Sequence, residues 1–245
     1  MKRIIGTMGM LLITALLLAH TLGAASPETE YTRTFDLDGC TFSSFGRNAY
    51  WSLEPGTESE FEGEDDGEEV ALLITVLEDQ KLVSFRTSTG ALRRVQTRVI
   101  EEREWVDGEL VEVSRNFFAR CTQTNDIYYF GEAVDIFEDG EVSHAGAWLA
   151  GQNGAMPGII MPGTFLLGSR YYQELAPRVA LDRAEHVAMG LAINVPAGSM
   201  RGCVEIVETT PLEPGSESTK IYCPGVGLTI DSVVELTDHD AQDDD

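Results

Sequence analysis

The chain has 245 residues, with 41 acidic against 17 basic side chains and a formal net charge of −24. So acidic a surface repels phosphate backbones and anionic bilayers, which excludes nucleic acid and anionic membranes as partners. The acidity suits solubility or life in salty water, with divalent-cation binding as the sharper alternative.

The first 25 residues carry the pattern of a secretory signal. Lys2 and Arg3 precede an apolar run from Ile4 to Leu18, and Gly23 and Ala25 supply small residues before a cleavage site. The apolar run is short for a membrane-spanning helix, which needs ~20 residues. The first cysteine is Cys40, so a lipid-anchored terminus is not expected. The mature chain is expected to be exported, periplasmic or extracellular, with no transmembrane span. It would form a single β domain over 26–236, followed by a disordered acidic tail over 237–245.

The segment 35–57 mixes Phe42, Phe45, Tyr50 and Trp51 with turn residues and reads as irregular structure packing its aromatics. Beyond it the pattern is strand after strand. The stretches "ESEFEG" and "EEVALLITVLED" flank the acidic turn "EDDG". Asp107-Gly108 and Asp139-Gly140 each separate two further β runs, a strong hairpin signal. In "LVEVSRNFF", Leu110, Glu112, Ser114 and Asn116 share one face, and Val111, Val113, Arg115 and Phe117 the other. Neither face is purely apolar, which suits a curved sheet with one covered and one partly wet side. The expected fold is all-β: an antiparallel meander of about ten to twelve strands curled into a curved sheet, half-barrel or barrel.

The pattern breaks at "AGQNGAMPGIIMPGTFLLGS", residues 150–169. Its apolar residues either plug the end of a barrel or form a mobile lip over a ligand cleft. After it, "RYYQELA" and "AEHVAMGLAINVPA" read as strands.

Four cysteines in an exported chain suggest two disulfides, and the absence of a CxxC removes the usual support for zinc-ribbon or thioredoxin-like sites. "CVEIVET" and "STKIYC" read as strands of one hairpin centred near Glu213. Thr209 then faces Glu217, Val207 faces Thr219, Glu205 faces Ile221, and Cys203 faces Cys223. Directly opposed Cβ atoms are close enough for a disulfide. Cys40–Cys121 follows by elimination.

Motifs for known catalytic machinery are absent: no GxSxG, HExxH, Walker loop, dinucleotide fingerprint or EF-hand loop. His144 and His186 read as solvated or half-buried strand residues rather than metal ligands. Glu174, Asp182 and Glu185 fall on neighbouring strands near the 150–169 loop. Two of them converging could act as acid and base on a glycan, or bind calcium with loop carbonyls; the structural alternative is salt bridging to Arg170, Arg178 or Arg183. Trp148, Tyr129, Tyr171, Met161 and Phe165 border the same loop and could line a site for an apolar or sugar-like ligand, or simply be core.

The segments "NAYWSLEPGTESEFEG", "DIYYFGE", "GAMPGIIMP", "YYQELAP", "TPLEPG" and "YCPGVGL" occur in this order. Over residues 48 to 230 the chain resembles a widespread family of exported bacterial all-β proteins to which no activity is attached. The resemblance implies export and a β body. It marks Tyr129, Gly131, Glu132, Trp148, Pro157, Met161, Pro162, Tyr171, Gln173, Glu174, Asp182 and Glu185 as family-pattern positions. Tyr172 and Glu101 stand where that pattern has arginine and a basic residue. The closing "PGVGL" is also similar to half-barrel proteins that hold apolar ligands.

The leading expectation is an exported, non-catalytic β protein binding an apolar or amphiphilic ligand, or a cell-envelope component, beneath the 150–169 loop. The alternatives are a small carboxylate-dependent hydrolase or lyase acting on glycans, and a calcium-stabilised structural module. No cofactor is expected, calcium apart.

Overall fold

The computed structural model describes residues 30–241. The expected signal segment lies outside these residues. Among them every regular element is a strand. Among the described residues no helix is long and apolar enough to cross a membrane. In chain order the strands are β1 (Phe42–Ser43), β2 (Glu58–Asp65), β3 (Glu68–Arg86), β4 (Leu92–Val106), β5 (Glu109–Cys121), β6 (Ile127–Glu138), β7 (Glu141–Ser143) and β8 (Trp148–Leu149). Then follow β9 (Met156–Met161), β10 (Arg170–Tyr172), β11 (Glu174–Leu175), β12 (Arg183–Val195), β13 (Gly198–Thr209), β14 (Glu217–Cys223), β15 (Gly227–Asp231) and β16 (Val234–Asp240).

The predicted hairpins form because their turns carry residues that tolerate positive φ. Asp66-Gly67, Asp107-Gly108 and Asp139-Gly140 have φ of 52° and 91°, 49° and 76°, and 51° and 80°. This pairing matches the right-handed twist of the flanking strands. The strands then follow one another around a nearly closed antiparallel barrel. The order is β10-β12-β13-β14-β15-β16-β2-β3-β4-β5-β6-β9-β11, thirteen strands, slightly more than the sequence suggests. The two ends of this path are consecutive in the chain. Arg170–Tyr172 pairs with β12, and two residues on Glu174–Leu175 pairs with β9. One segment thus switches partners at Gln173 and forms the seam of the barrel.

Two sequence expectations change. The stretch Met156–Met161, inside the presumed break, is a strand between β6 and β11. Gly158 permits it: a Cβ there would lie 2.4 Å from the Gln173 carbonyl oxygen. The expected tail is ordered through Asp240, because Asp238, His239 and Asp240 pair with Glu60, Ser59 and Glu58 of β2.

Both disulfides form, Cys40–Cys121 and Cys203–Cys223. The hairpin register is as read from the sequence, with Thr209 opposite Glu217, Val207 opposite Thr219 and Glu205 opposite Ile221. One end of the barrel is filled by the 48–53 segment and the 162–167 loop. Trp51 reaches across the interior to Phe118 of β5 (5.1 Å) and Tyr222 of β14 (6.0 Å). Phe165 stacks on His186 at 3.8 Å and edges Tyr50 at 6.1 Å. Of the 150–169 region, Met156–Met161 thus joins the wall and the 162–167 loop packs down as a plug, while Leu166 and Leu167 remain exposed.

Candidate functional site

The alternation of β5 places Glu112, Ser114 and Asn116 on the inner face of the barrel. Glu104, Glu102 and Ile100 of β4 stand opposite them, and Ile136, Val134 and Glu132 of β6 flank them on the other side. Glu102 interacts with Lys220 of β14 and Asp231 of β15. Strands β15, β16, β2 and β3 lie between β4 and β14 along the sheet, so this coupling runs through the interior. The interior thus holds a polar layer supplied by β4, β5, β6, the seam, β13, β14 and β15.

At the seam the layer is densest. Glu174 is buried on β11, opposite Pro157. The Gln173 and Glu174 N–H groups both donate to the Asp182 carbonyl, at 2.8 and 3.2 Å, which folds the Ala176–Ala180 turn back onto the seam. Trp148 on β8 stands opposite Glu132. Gly131 makes that docking possible: its φ is +136°, and a Cβ there would lie 2.4 Å from the Trp148 carbonyl oxygen. Tyr129 stacks on Phe118 at 4.6 Å and meets Trp148 edge-on at 5.3 Å.

The polar contacts are specific. The Tyr129 hydroxyl reaches both the Asn116 side-chain oxygen and Glu132 Oε2, the latter at 3.0 Å. Gln173 Nε2 donates to Glu208 Oε1 at 2.6 Å. Lys220 Nζ bridges Glu208 (3.5 Å) and Asp231 (3.0 Å). The Trp148 indole N–H, on a side chain 6% exposed, completes no hydrogen bond within the structure. It nevertheless lies close enough to the Glu174 carboxyl to make a small contribution against that group's upward shift.

Burial works against ionisation of all four acids. Burial pushes Glu132 up to about 8, with Glu102, Glu112 and Asp182 adding like-charge repulsion against the Tyr129 hydrogen bond. Glu174 is raised well above the usual carboxylate range, first by burial and then by Glu132, Asp182 and Glu208. Asp182 and Glu208 are raised by the same desolvation. Lys220 is the one cation that the polar layer contains among the described residues. Burial disfavours its charge, but Asp231 and Glu208 more than offset this.

Beside this cluster a cleft of about 270 Å³ is lined by residues that include Phe117, Glu132, Trp148, Leu149, Gln152 and Val179. A second cleft, of about 380 Å³ between Phe85, Leu92 and Met156, has no carboxylate in its lining. No cluster of three or more His, Cys, Asp or Glu is arranged to hold a metal ion among the described residues.

The sequence candidates distribute unevenly. Glu174 and Asp182 meet at the seam. Glu185 does not join them: it lies on the opposite face of β12 from inward Ala184 and closes on Arg170 at 2.5 Å. Trp148 and Tyr129 belong to the site. Met161 and Tyr171 are core, and Phe165 belongs to the plug. His186 is a satisfied core residue, bonded to the Tyr171 hydroxyl (2.9 Å) and the Leu166 carbonyl (3.0 Å), and burial lowers its pKa to about 4. His144 sits outside, near Val134 O and Asp135. Reading residues alone misses Asn116, Glu208 and Lys220. Glu132 and Gln173 are marked only by the resemblance. Of its marked positions, Tyr129, Glu132, Trp148, Gln173, Glu174 and Asp182 gather at this one place.

Comparison with known protein families, curated proteins and solved structures returns no match to the chain.

Proposed function

We propose that the chain is an exported, non-catalytic binding protein that holds a small amphiphilic ligand at the barrel seam. The observation that carries this reading is the Trp148 indole N–H. It is buried, lies within reach of the Glu174 carboxyl without completing a hydrogen bond of full geometry, and borders the cleft beside Glu132. A buried donor so poorly matched forfeits much of a hydrogen bond, about 0.5–1.5 kcal/mol, which a well-placed ligand acceptor would recover. Apolar residues for a ligand body are at hand: Phe117, Leu149 and Val179 line the cleft. Such a lining with a few convergent polar groups is the usual make-up of a small-molecule site.

A carboxylate-dependent hydrolase or lyase acting on glycans is the second reading, favoured by the convergence of Glu174 with Asp182 and Glu132. Native mass spectrometry on residues 26–245, isolated from the exported fraction, separates the two. The binding reading expects a discrete mass above the denatured mass, lost in Trp148→Ala. No added mass, together with glycan turnover abolished in Glu174→Gln, would replace binding by catalysis.

A further inference from the structure

We infer that two copies of the chain associate through the open edge of β12, which pairs antiparallel with the same strand of the second copy and joins the two barrels in one continuous sheet. The inference concerns the outer edge of β12 and does not depend on the binding reading above.

The first observation is in the backbone. Strand β10 covers β12 only from Arg183 to Glu185. One residue on, the Gly168 N–H donates to the His186 carbonyl at 2.8 Å, and the His186 N–H donates to the Ser169 carbonyl at 3.0 Å. From Val187 to Val195, β12 pairs with β13 alone among the described residues, so the side turned away from β13 has no strand beside it. A row of unpaired N–H and C=O groups is a template for another strand. Val187, Met189, Gly190, Ala192 and Asn194 are exposed along it. Bulges bend the strand between His186 and Ala192, but Ala192–Val195 keeps an unbroken register with β13.

The second observation is in the charge. Between Glu185 and Arg201 the sequence has no Asp, Glu, Lys or Arg, and between Glu141 and Arg170 it has none either. These two charge-free stretches meet at the Gly168–His186 hydrogen bond, which brings exposed Leu166 and Leu167 beside Val187. Two other open stretches of the sheet are guarded by acids. Strand β7 is three residues long and carries Glu141 against Glu138. Beyond Leu236, where β15 no longer pairs with it, β16 carries Asp238 and Asp240. Lysine, proline and inward charges are the usual blocks to edge pairing, and residues 187–195 contain none of them.

Together these features select the occupant. A partner strand that carried acids would be repelled by a chain of net charge −24, and one that carried bases would find no acid along this edge to pair with. The strand that fits is extended, uncharged and apolar, and β12 itself is such a strand. A two-fold axis at Ile193 would set Ala192 opposite Asn194 of the second copy. It would also lay the second copy's uncharged turn at Pro196 and Ala197 beside Met189, next to the Leu166–Leu167 tip. Such a contact uses the same patch on both copies, so association stops at the dimer.

The test is sedimentation velocity of the full mature chain, residues 26–245, over a hundredfold range of concentration. It is run at about 0.15 M and about 1 M NaCl, where charges are screened beyond about 8 Å and 3 Å. The expected result is a monomer–dimer equilibrium that tightens at the higher salt, because screening weakens the repulsion between two acidic bodies and leaves strand pairing intact. Hydrogen exchange should slow at the 187–195 amides as the dimer fills. Ala192→Lys puts a charge on the shared edge and should weaken dimerisation at least about 10-fold, as should Asn194→Lys. Circular dichroism checks that both variants keep the fold, and Val142→Lys, on exposed β7, should dimerise like the unaltered chain. A monomer at every concentration and salt would overturn the inference. A dimer indifferent to both edge variants, with residues 187–195 exchanging freely, would place the contact elsewhere and overturn it as well. A dimer that dissociates at 1 M salt would rest on ion pairs, which this edge lacks, with the same consequence.

Discussion

The barrel interior has two unlike walls. On β2, β3 and β16 the inward residues are Phe61, Val70, Val234 and Leu236, all buried, with Leu72 and Ile74 packed against them. On β4, β5, β6 and β13–β15 they include Glu102, Glu104, Glu112, Glu132, Glu208, Lys220 and Asp231, beside Ile100, Val134 and Ile136. The walls meet within single cross-strand pairs, Leu72 beside Glu104 and Ile74 beside Glu102. The apolar wall stabilises the fold by removing area from water. The acidic wall has the reverse effect: carboxyls are surrounded by protein and left with one cation. A molecule that carries such a wall does so at a cost in stability, and the proposed site gives that cost a reason.

Three measurements sharpen the contrast. Phe61→Ala deletes the largest side chain of the apolar wall, and a loss of about 3–5 kcal/mol is expected. Denaturant unfolding at pH 5 and pH 8 should give the same loss, since nothing titratable contacts that side chain in its cluster. Lys220→Met removes the one cation of the acidic wall. Breaking a buried pair from one side costs about 3 kcal/mol at pH 8. A loss below about 1 kcal/mol in denaturant unfolding would mean that Glu208 and Asp231 do not depend on the Lys220 charge.

The third measurement is the pH profile of the unaltered chain. Burial holds Glu102 at about 7, and Glu104 and Glu132 at about 8, above their unfolded values near 4.5. Between those limits the folded chain binds more protons than the unfolded one. The stabilising protonation is fully present below pH 4.5 and is lost as pH rises through 7 to 8. Each such group contributes a slope of up to ~1.4 kcal/mol per pH unit. His186 opposes them with a single proton: its depressed value means that stability is lost as pH falls from 6.5 toward 4. Thermal unfolding should therefore show greater stability near pH 6 than at pH 8. A profile flat over that range would indicate an acidic wall open to bulk water.

Much of the fold was legible because it rests on local rules. Three Asp-Gly turns placed three hairpins, and period-two spacing set the Cys203–Cys223 register. The tail and β9 were misread for the same reason. Composition spoke for disorder from Thr237 onward and for irregular structure at "GAMPGIIMP", while the partners of residues 238–240 and of β9, namely β2 and the seam, are remote in sequence. The site was half legible. Glu174, Asp182, Trp148 and Tyr129 could be singled out as chemistry near one loop. Glu185 could not be separated from them without knowing which face of β12 turns inward. Glu208 and Lys220 were hidden because a charged residue in an alternating strand ordinarily faces water. Here the inner face is the polar one, and only closure of the barrel reveals it.

Closure itself sets an entropic order on the molecule. Most neighbouring strands are also neighbours in sequence, but β2 pairs with β16, joining residues 58–63 to residues 234–240. Loop-closure entropy grows with the logarithm of the loop, so this joint is the least favourable to form from an open chain. Each hairpin completed in between shortens the effective loop, as does the Cys40–Cys121 link. The apolar wall built around Phe61 and Leu236 therefore comes into being only when strands from the two far ends of the described chain meet. The acidic wall, made from strands close together in sequence, is largely assembled before them.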